Sequence, residues 1–541
     1  MLARLAPVLA LIPLLACTAP TPADTVLING KIFTANPSQP WAQAVAITGD
    51  RITAVGESSA IGALAGERTR RIDLGGRTVI PGINDAHQHV AIAPPTVRLE
   101  LPFDPTLEQI AAAIAAQVKT SAPGRLIAGD FSQTAWGNPA FTRAWLDKLA
   151  PDHPVRLSAF TGHGRLLNSR ALALAGIEDS VRDPEGGRYG RDAADRLDGR
   201  LEEYADYMSS RRFIAKMEPP EITGAYRKFA AEASGFGITS VQLMADPMPI
   251  AQVSKYLAEA DLPLRWRGFR FPMREAGGET IDSRPVLPPQ PTPRIDMRGM
   301  KWIIDGTPVE RLAFLRAPYQ DAPGQRGRLN FPPERIAEFV GWAYGSEDPL
   351  AVHAVGDAAI EAYVAAVEAA GRAEVWRAKR PRIEHGDMMP PDLIARVKAM
   401  GMVVVQNPMH FMLGEILAAR LGAERVASIQ PMKSLLEAGV PLAIGSDGPM
   451  NPFLNIMAAV THPANPKEAL TREQAVTAYT AGSAFAEFKE QEKGQLAVGM
   501  LADLAVLSGD VFTVPVDQME AIRSVLTMFG GRIVHETGAV R

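Results

Sequence analysis

The stretch N-D-A-H-Q-H-V at residues 84–90 follows directly on the apolar run T-V-I-P-G-I at residues 78–83. It contains two of the nine histidines of the chain, His87 and His89, separated by a single residue. In a β-strand, side chains two positions apart point to the same face. Two neutral imidazoles fixed side by side suit a divalent metal such as zinc. Taken alone, the motif also fits a pair of histidines that bind nothing.

The region from about residue 81 to 490 alternates short apolar runs with helical segments, the pattern of a parallel sheet or barrel. Eight strand–helix units over this length predict an α/β fold, a (β/α)₈ TIM-like barrel whose strands end at a common mouth. The predicted strands are the run that ends at His89, followed by T-S-V-Q-L-M, L-R-W-R-G-F-R, K-W-I-I-D-G, L-A-V-H-A-V-G-D, P-R-I-E-H-G-D, M-V-V-V-Q and P-L-A-I-G-S-D.

Three more of these runs close on a residue type that binds metals. His353 ends L-A-V-H, His385 ends P-R-I-E-H and Asp447 ends P-L-A-I-G-S-D. A barrel would bring them to the same mouth as His87 and His89. Each one alone is better explained as a packed or loop residue, but their coincidence at four strand ends favours a metal site.

The two ends of the chain differ from this middle region. Residues 25–80 and 491–541 are rich in short β-branched runs punctuated by glycine. They predict one small β-sandwich domain built from both chain ends, without a helix in its N-terminal part. Within the barrel, residues from about 100 to 225 carry a strand-like run at 154–160 that does not fit the count of eight. This region is predicted to be an insertion over the barrel mouth.

The first seventeen residues have one positive charge followed by an apolar run, which is typical of an export signal. Their last residues, L-L-A-C, resemble the lipobox of bacterial lipoproteins, where the cysteine carries lipid. This predicts a signal peptide over residues 1–17, lipidation at Cys17, a tether over residues 18–24, and a membrane-anchored lipoprotein on the periplasmic side. A plain signal peptide or an uncleaved anchor is the alternative. Cys17 is the only cysteine, so the mature chain has no internal disulfide.

The composition restricts the class of partner. Hydrophobic residues make up 47% and charged residues 21% of the 541, as in a folded soluble protein. The formal net charge is −4, and no basic stripe is visible in the sequence. Nucleic-acid binding is therefore not expected, because it would need such a stripe.

Taken together, these segments resemble the amidohydrolase superfamily, specifically its amidohydrolase-3, YtcJ-like branch. The resemblance covers nearly the whole mature chain, from about residue 25 to 540. It is carried by V-I-P-G-I-N-D-A-H-Q-H, G-H-G-R-L-L-N-S-R-A-L, S-G-F-G-I-T-S-V, M-K-W-I-I-D-G-T, V-H-A-V-G-D-A-A-I, R-I-E-H-G-D, I-G-S-D-G-P and L-A-V-G-M-L-A-D-L-A-V-L.

The resemblance implies one or two divalent metal ions, usually zinc. His87 and His89 would hold the more buried ion, and His353 and His385 the more exposed one. Lys301 matches a lysine that is carboxylated in many relatives and bridges two metals. Carboxylation would turn a cation into an anionic oxygen ligand. The alternative is an ordinary strand lysine paired with a carboxylate such as Asp305.

Asp447 matches an aspartate on the last strand that binds metal and handles the proton of the attacking water. Its alternative role is a helix cap. Three residues are predicted to bind substrate. His163 matches a family histidine of the insertion, although T-G-H stands here where relatives often have D-G-H; Trp136 could form a pocket wall; His410 follows the seventh strand. The alternatives are a structural histidine and a packed tryptophan.

These residues predict a metal-dependent hydrolase that cleaves a carbon–nitrogen bond of a small molecule through a metal-activated water. The same site would serve an ester, lactone or organophosphate substrate. A non-catalytic periplasmic binding lipoprotein is an alternative of another class. Relatives are often dimers, so a homodimer is the expected assembly.

Overall fold

The computed structural model describes residues 22–244, 247–276, 278, 280–281 and 292–540. The predicted signal peptide, the lipidation site Cys17 and most of the tether lie outside these residues. Among the described residues, no helix is both long and apolar enough to cross a membrane.

The central part of the fold consists of two sheets of parallel strands. Ile83–Gln88 (β1), Ile238–Leu243 (β2) and Arg265–Gly268 (β3) form the first, with the short strand Ile295–Asp296 at its edge. The second contains Met300–Ile303 (β4), Leu350–Ala354 (β5), Arg382–His385 (β6), Val403–Gln406 (β7) and Leu442–Ile444 (β8). Every one of the eight predicted runs is therefore a strand, in the predicted parallel order.

Hydrogen bonds link the two sheets at both of their meeting edges. The Lys301 N–H donates to the Arg270 carbonyl at 2.8 Å, beside a parallel bridge between Arg270 and Met300. At the other edge, the Asp447 N–H donates to the His87 carbonyl at 2.8 Å. The loop that follows β8 is thus fixed directly to the end of β1.

Helices follow most of these strands, as the alternating pattern predicts. Pro391–Met400 shows why they form: proline occupies its first turn, and it ends at Gly401 in a left-handed conformation with φ +68°. Its buried face is apolar. The other helices of this region are Pro219–Gly235, Ile250–Ala260, Pro333–Gly345, Asp357–Ala370, Ala373–Lys379, Gly414–Leu421, Ala423–Val426, Met432–Ala438, Pro452–Thr461, Arg472–Thr477 and Ser483–Ala486.

Two further sheets are built from the chain ends and share a hydrophobic core. In sheet order, one contains Arg51–Gly56, Ala44–Thr48, Ala23–Ile28 and Ala65–Asp73, and the other Arg532–Glu536, Ser524–Phe529, Leu504–Leu507, Thr78–Pro81, Lys31–Phe33 and Trp41–Ala42. Antiparallel pairing of Thr78–Pro81 with Leu504–Leu507 joins the two ends. The prediction that residues 25–80 lack a helix is wrong. Ser58–Gly62 forms one short turn of helix that packs on the sheet containing Ala23–Ile28.

The segment between β1 and β2 folds around its own sheet and its own apolar clusters. The run at 154–160 that did not fit the barrel count lies here as the strand Val155–Ala159. In order across the sheet, the strands are Gly187–Arg191, Leu197–Glu203, Gly164–Leu167, Val155–Ala159, Ile127–Phe131 and Val97–Arg98. The helices of this segment are Leu107–Thr120, Gln133–Trp136, Arg143–Leu149, Ser169–Leu174 and Tyr204–Ile214.

Candidate metal centre

His87 and His89 lie at the carboxyl end of β1 and face the same carboxylate. His87 is buried, and its Nδ1 lies 2.6 Å from Glu384 Oε2, which leaves its Nε2 free to face Asp447 Oδ1 at 3.6 Å. His89 follows the last residue of the strand, and 41% of its side chain is exposed. Its Nε2 lies 3.2 Å from the same Oδ1. The one-residue spacing thus directs both imidazoles to one point, as the sequence predicts.

Asp447 occupies the centre of the site. Its second oxygen, Oδ2, lies 3.6 Å from His385 Nδ1 and 3.3 Å from His410 Nε2. The residue has φ +55°, a conformation that is costly for a residue with a Cβ. Asp85 helps to hold it there, because this buried carboxylate accepts hydrogen bonds from the backbone and hydroxyl of the preceding Ser446.

Four histidine rings form a continuous row across the site. The ring centroids of His87 and His385 are 4.7 Å apart, those of His385 and His353 are 4.5 Å apart, and those of His353 and His163 are 4.8 Å apart. His385 has φ +69°, and its Nδ1 lies 2.8 Å from Asn407 Oδ1. The residues that the sequence placed at separate strand ends therefore meet at one place.

The chemistry of these donors fits a divalent metal. Burial lowers the pKa of His87 to about 4 and lowers the pKa of His353 and His385 well below the usual value, so all three are neutral near pH 7. The Nε2 of His353 is buried and has no hydrogen-bond partner within the described part of the chain. Two sets of donor atoms are close enough to share an ion: His87, His89 and Asp447, and also His385, His410 and Asp447.

Lys301 is buried on β4, close enough to these groups to interact with them electrostatically. Burial lowers its pKa to about 8, although Glu384 and Asp447 act in the opposite direction. Asp305, the partner considered for an ordinary strand lysine, instead binds backbone N–H groups. It accepts hydrogen bonds from the backbone N–H groups of Val355, Gly356 and Phe314 at 2.9–3.0 Å. Carbon dioxide reacts with the neutral amine of lysine, and a lowered pKa increases the fraction of Lys301 in that form. Carboxylation stays a prediction for this position.

His163 reaches the row of rings from the insertion. Burial disfavours its charge, but the carboxylate of Glu203, 3.0 Å from Nδ1, outweighs burial and raises the pKa of His163 to about 9. Glu203 is itself fully buried, with φ +53°. His163 is therefore the positively charged member of the row, in contact with His353.

His410 and Trp136 differ in position from each other. His410 contacts Asp447 directly, and its Nδ1 is held by Asp387 Oδ2 at 2.8 Å. Trp136 lies in the hydrophobic core of the insertion, stacked on Phe131 with ring centroids 5.5 Å apart. Because Trp136 is packed in this core, it is a structural tryptophan and does not form the predicted pocket wall. The sequence alone could not separate the two, since an aromatic residue before a glycine occurs in both settings.

The residues behind the histidines were not identified from the sequence. Glu384 orients His87 and is bound by Arg382, with Nε 2.7 Å from Oε1; Arg382 lowers the pKa of Glu384, against the effect of burial. Asn407 and Asp387 hold His385 and His410. The alternation in R-I-E-H, with two charges two positions apart on an otherwise buried strand, is the available signal for the first pair.

Comparisons with known proteins identify the family of the chain. The amidohydrolase family model matches residues 70–535. The chain is 27% identical over 493 residues to YtcJ of Bacillus subtilis (strain 168), named as an amidohydrolase, with 86% of this chain and 91% of that protein covered. It is 26% identical over 563 residues to an N-substituted formamide deformylase of Arthrobacter pascens, covering 95% of this chain and 98% of the other.

The fold is also shared with solved structures. An uncharacterised metal-dependent hydrolase from Pyrococcus furiosus superposes with a TM-score of 0.69 at 24% identity, covering 90% of this chain and 100% of that one. The family model spans most of the present chain, including all the histidines of the site. The protein therefore belongs to the amidohydrolase family, and this membership supports a metal-dependent hydrolase.

Proposed function

We propose that the protein is a zinc-dependent hydrolase that cleaves a carbon–nitrogen bond in a small amide-type substrate. The observation that carries the proposal is the position of Asp447 between two groups of imidazoles. One carboxylate oxygen faces His87 and His89, and the other faces His385 and His410. This arrangement joins metal ligands to a proton acceptor within one cluster.

In this proposal the two parallel sheets form one (β/α)₈ barrel that spans residues 81–490, and residues 25–80 and 491–541 form a β-sandwich. The hydrogen bonds at both meeting edges of the sheets support closure, and the core shared by the two terminal sheets supports the sandwich. Active sites of such barrels lie at the carboxyl ends of the strands. The histidine row lies at that end.

The proposed metal ligands are His87, His89, His353, His385, Asp447 and, if it is carboxylated, Lys301. A bound zinc ion would make water a nucleophile near neutral pH and would polarise the scissile carbonyl. The His353 Nε2 accepts and donates no hydrogen bond within the described part of the chain, although Asp305 Oδ1 lies 3.7 Å away. This and the lowered pKa of the buried histidines support these roles, because only the neutral imidazole binds a metal.

The remaining steps belong to side chains of the protein. Asp447 accepts the proton of the attacking water on a carboxylate oxygen and returns it to the leaving nitrogen. His410 Nε2, fixed by Asp387, steadies the Oδ2 of Asp447. His163 is charged and held at Nδ1 by Glu203, so its other nitrogen is available to donate a hydrogen bond to a substrate oxygen.

The choice of a carbon–nitrogen bond is supported by the formamide deformylase of Arthrobacter pascens, which aligns over 95% of the present chain. For the location, the L-A-C ending of the first seventeen residues supports export and lipid attachment at Cys17. In this proposal the protein is anchored on the periplasmic side of a membrane and acts on small molecules. We also propose that it forms a homodimer.

The test is hydrolysis of a panel of N-formyl and N-acyl amines, N-acyl amino acids, dipeptides and the corresponding esters by the zinc-loaded protein. Asp447→Asn keeps the shape of the side chain, and we expect it to lower kcat by about 10²- to 10⁴-fold, the usual contribution of a positioned proton acceptor. Asp392→Asn is the matched control, since Asp392 is exposed and pairs with Arg316 on the surface. Unchanged turnover in Asp447→Asn would remove its proton-transfer role, and hydrolysis of esters alone would remove the carbon–nitrogen assignment.

A further inference from the structure

A cavity lies at the opposite end of the central strands from the histidine row. It has a volume of about 320 Å³. Arg298 and Lys379, which line it, come just before β4 and β6, and Asp348 comes just before β5. The cavity is therefore at the amino ends of these strands and is separate from the candidate metal centre.

The cavity wall carries an excess of positive charge. Arg267 and Arg298 both pair with one carboxylate, that of Asp296, at 2.6 Å and 2.9 Å respectively. Lys379 donates to a neutral acceptor, the carbonyl of Ser346. Of the three carboxylates in the wall, Asp348 is neutralised by Arg270 and Glu487 by Lys493, whereas Glu347 is exposed at the rim.

Arg267 brings a buried guanidinium with an unused hydrogen-bond donor to the cavity wall. Its side chain is 4% exposed, and its Nε–H has no hydrogen-bond partner among the described residues. A buried guanidinium donor left without a partner is costly, and guanidinium groups match the geometry of carboxylate and phosphate oxygens. The volume equals roughly ten water molecules at ~30 Å³ each, enough for a small organic acid or a phosphate.

A chain of buried side chains leads from this cavity to the metal centre. Glu487, in the cavity wall, accepts a hydrogen bond from Asn84 at 2.6 Å, and Asn84 accepts one from Gln242 at 3.4 Å. Gln242 accepts one from Arg382, whose Nε binds Glu384 at 2.7 Å. Glu384 then contacts His87, so five hydrogen bonds connect the cavity wall with a proposed metal ligand.

An aromatic ring provides a second connection. The guanidinium carbon of Arg267 lies 5.5 Å from the ring centroid of Phe269, and that of Arg382 lies 5.0 Å from the same centroid. A movement of Arg267 toward a ligand would therefore alter the packing of the arginine that holds Glu384.

We propose that the cavity at the amino ends of β4–β6 binds a small molecule with a carboxylate or phosphate group, and that this binding is coupled to the metal centre. The binding half stands independently of the proposed function. The coupling half rests on the proposed metal ligands.

Binding is tested by calorimetric titration of the full chain with succinate and, separately, with inorganic phosphate at constant ionic strength. We expect one saturable site for at least one of the two compounds, which also identifies the preferred oxyanion. Arg298→Gln and Lys379→Gln should each weaken it at least tenfold. The matched control is Lys398→Gln, because Lys398 also donates to a backbone carbonyl but lies outside the cavity. No saturable binding of either compound, or wild-type affinity in both cavity variants, would overturn the site.

Coupling is tested by the affinity for zinc, measured by competition with a chromophoric chelator, with and without a saturating amount of the bound compound. We expect a change of at least about fivefold, the lower end of typical coupling between sites. The change should disappear in Glu487→Leu, which cannot accept the hydrogen bond from Asn84 and whose folding is checked by circular dichroism. It should also shrink in Lys379→Gln when the compound is added at a concentration that saturates only the wild-type protein. An unchanged zinc affinity in the wild-type protein would overturn the coupling while leaving the metal centre and the hydrolase proposal untouched.

Discussion

The two halves of the central strands handle buried polar groups in opposite ways. At the carboxyl ends, burial keeps His87, His353 and His385 neutral. Below the histidines, toward the amino ends of the strands, side chains keep their formal charges as close ion pairs. Arg382 pairs with Glu384 and Lys493 with Glu487, both at 2.7 Å. The histidines on the strands therefore offer free lone pairs, beside the charged pairs of His163 with Glu203 and His410 with Asp387, whereas the opposite end offers compensated charges.

This difference shows how one interior can be both reactive and rigid. Neutral imidazoles with an unpaired nitrogen are poor sources of stability but good ligands. Paired charges contribute little net stability, but they fix neighbouring groups through several directed hydrogen bonds. Glu384 belongs to both regions, because one oxygen binds Arg382 and the other orients His87.

The largest expected effect on the free energy of unfolding is that of Glu384→Ala, which removes one of the buried charge pairs. The change leaves the guanidinium of Arg382 buried without its carboxylate, which typically costs ~3–5 kcal/mol of unfolding free energy. Urea denaturation of chelator-treated protein measures the loss. Glu368→Ala is the control, since its pair with Arg396 is partly exposed, and such surface pairs contribute about 0–1 kcal/mol. A loss under ~1 kcal/mol in Glu384→Ala would contradict the view that the pair is tightly held.

A smaller effect is expected from Asp387→Asn, which weakens the hold on His410 at the carboxyl end. Removing a group that orients an active-site residue typically costs about 10- to 100-fold in activity. With a substrate identified from the hydrolysis panel, we expect the loss in kcat, with little change in KM. Asp387→Glu should restore part of it, and Asp392→Asn should have no effect. A change in KM alone would place His410 in substrate binding instead.

The pH dependence of stability sharpens the same comparison. Glu203 raises the folded-state pKa of His163 to about 9 from 6.5, so its contribution is fully present below pH 6.5 and is lost as pH rises through 9. His410, raised to about 10, acts in the same direction. His87, lowered to about 4, acts oppositely, so stability also falls as pH drops below 6.5.

The measurement is the free energy of unfolding of chelator-treated protein from pH 5 to 10. The slope between pH 6.5 and 9 should not exceed ~1.4 kcal/mol per pH unit for each proton released. His163→Gln should flatten this part of the curve and leave the acid side unchanged. A slope that is the same in the variant would show that His163 is not held as a cation.

The sequence predicted the strands and their ends for a simple physical reason. A buried strand requires a run of apolar residues, and a histidine or aspartate directly after such a run must lie at the strand end. His385 is the last residue of its strand and His353 the last but one, whereas Asp447 follows the end of its strand after Gly445 and Ser446. The short helix Ser58–Gly62 was missed because five residues without a capping side chain leave almost no signal.

The residues that hold the proposed ligands could not be identified from the sequence, because their contacts join distant parts of the chain. Glu384 and His87 are 297 positions apart, and Ser446 and Asp85 are 361 apart. Local periodicity cannot reveal such pairs. The position of Trp136 illustrates the same limit, since only the packing around it separates a core residue from a pocket wall.

The ladder between Thr78–Pro81 and Leu504–Leu507 has a consequence for how the protein is made. Ribosomes add roughly 5–20 residues per second, so the earlier strand waits on the order of tens of seconds for its partner to emerge. Until then the nascent chain displays unpaired strand edges, which are templates for aggregation. A message truncated before the codon for Leu504 should therefore yield insoluble protein, even though it encodes every histidine of the row.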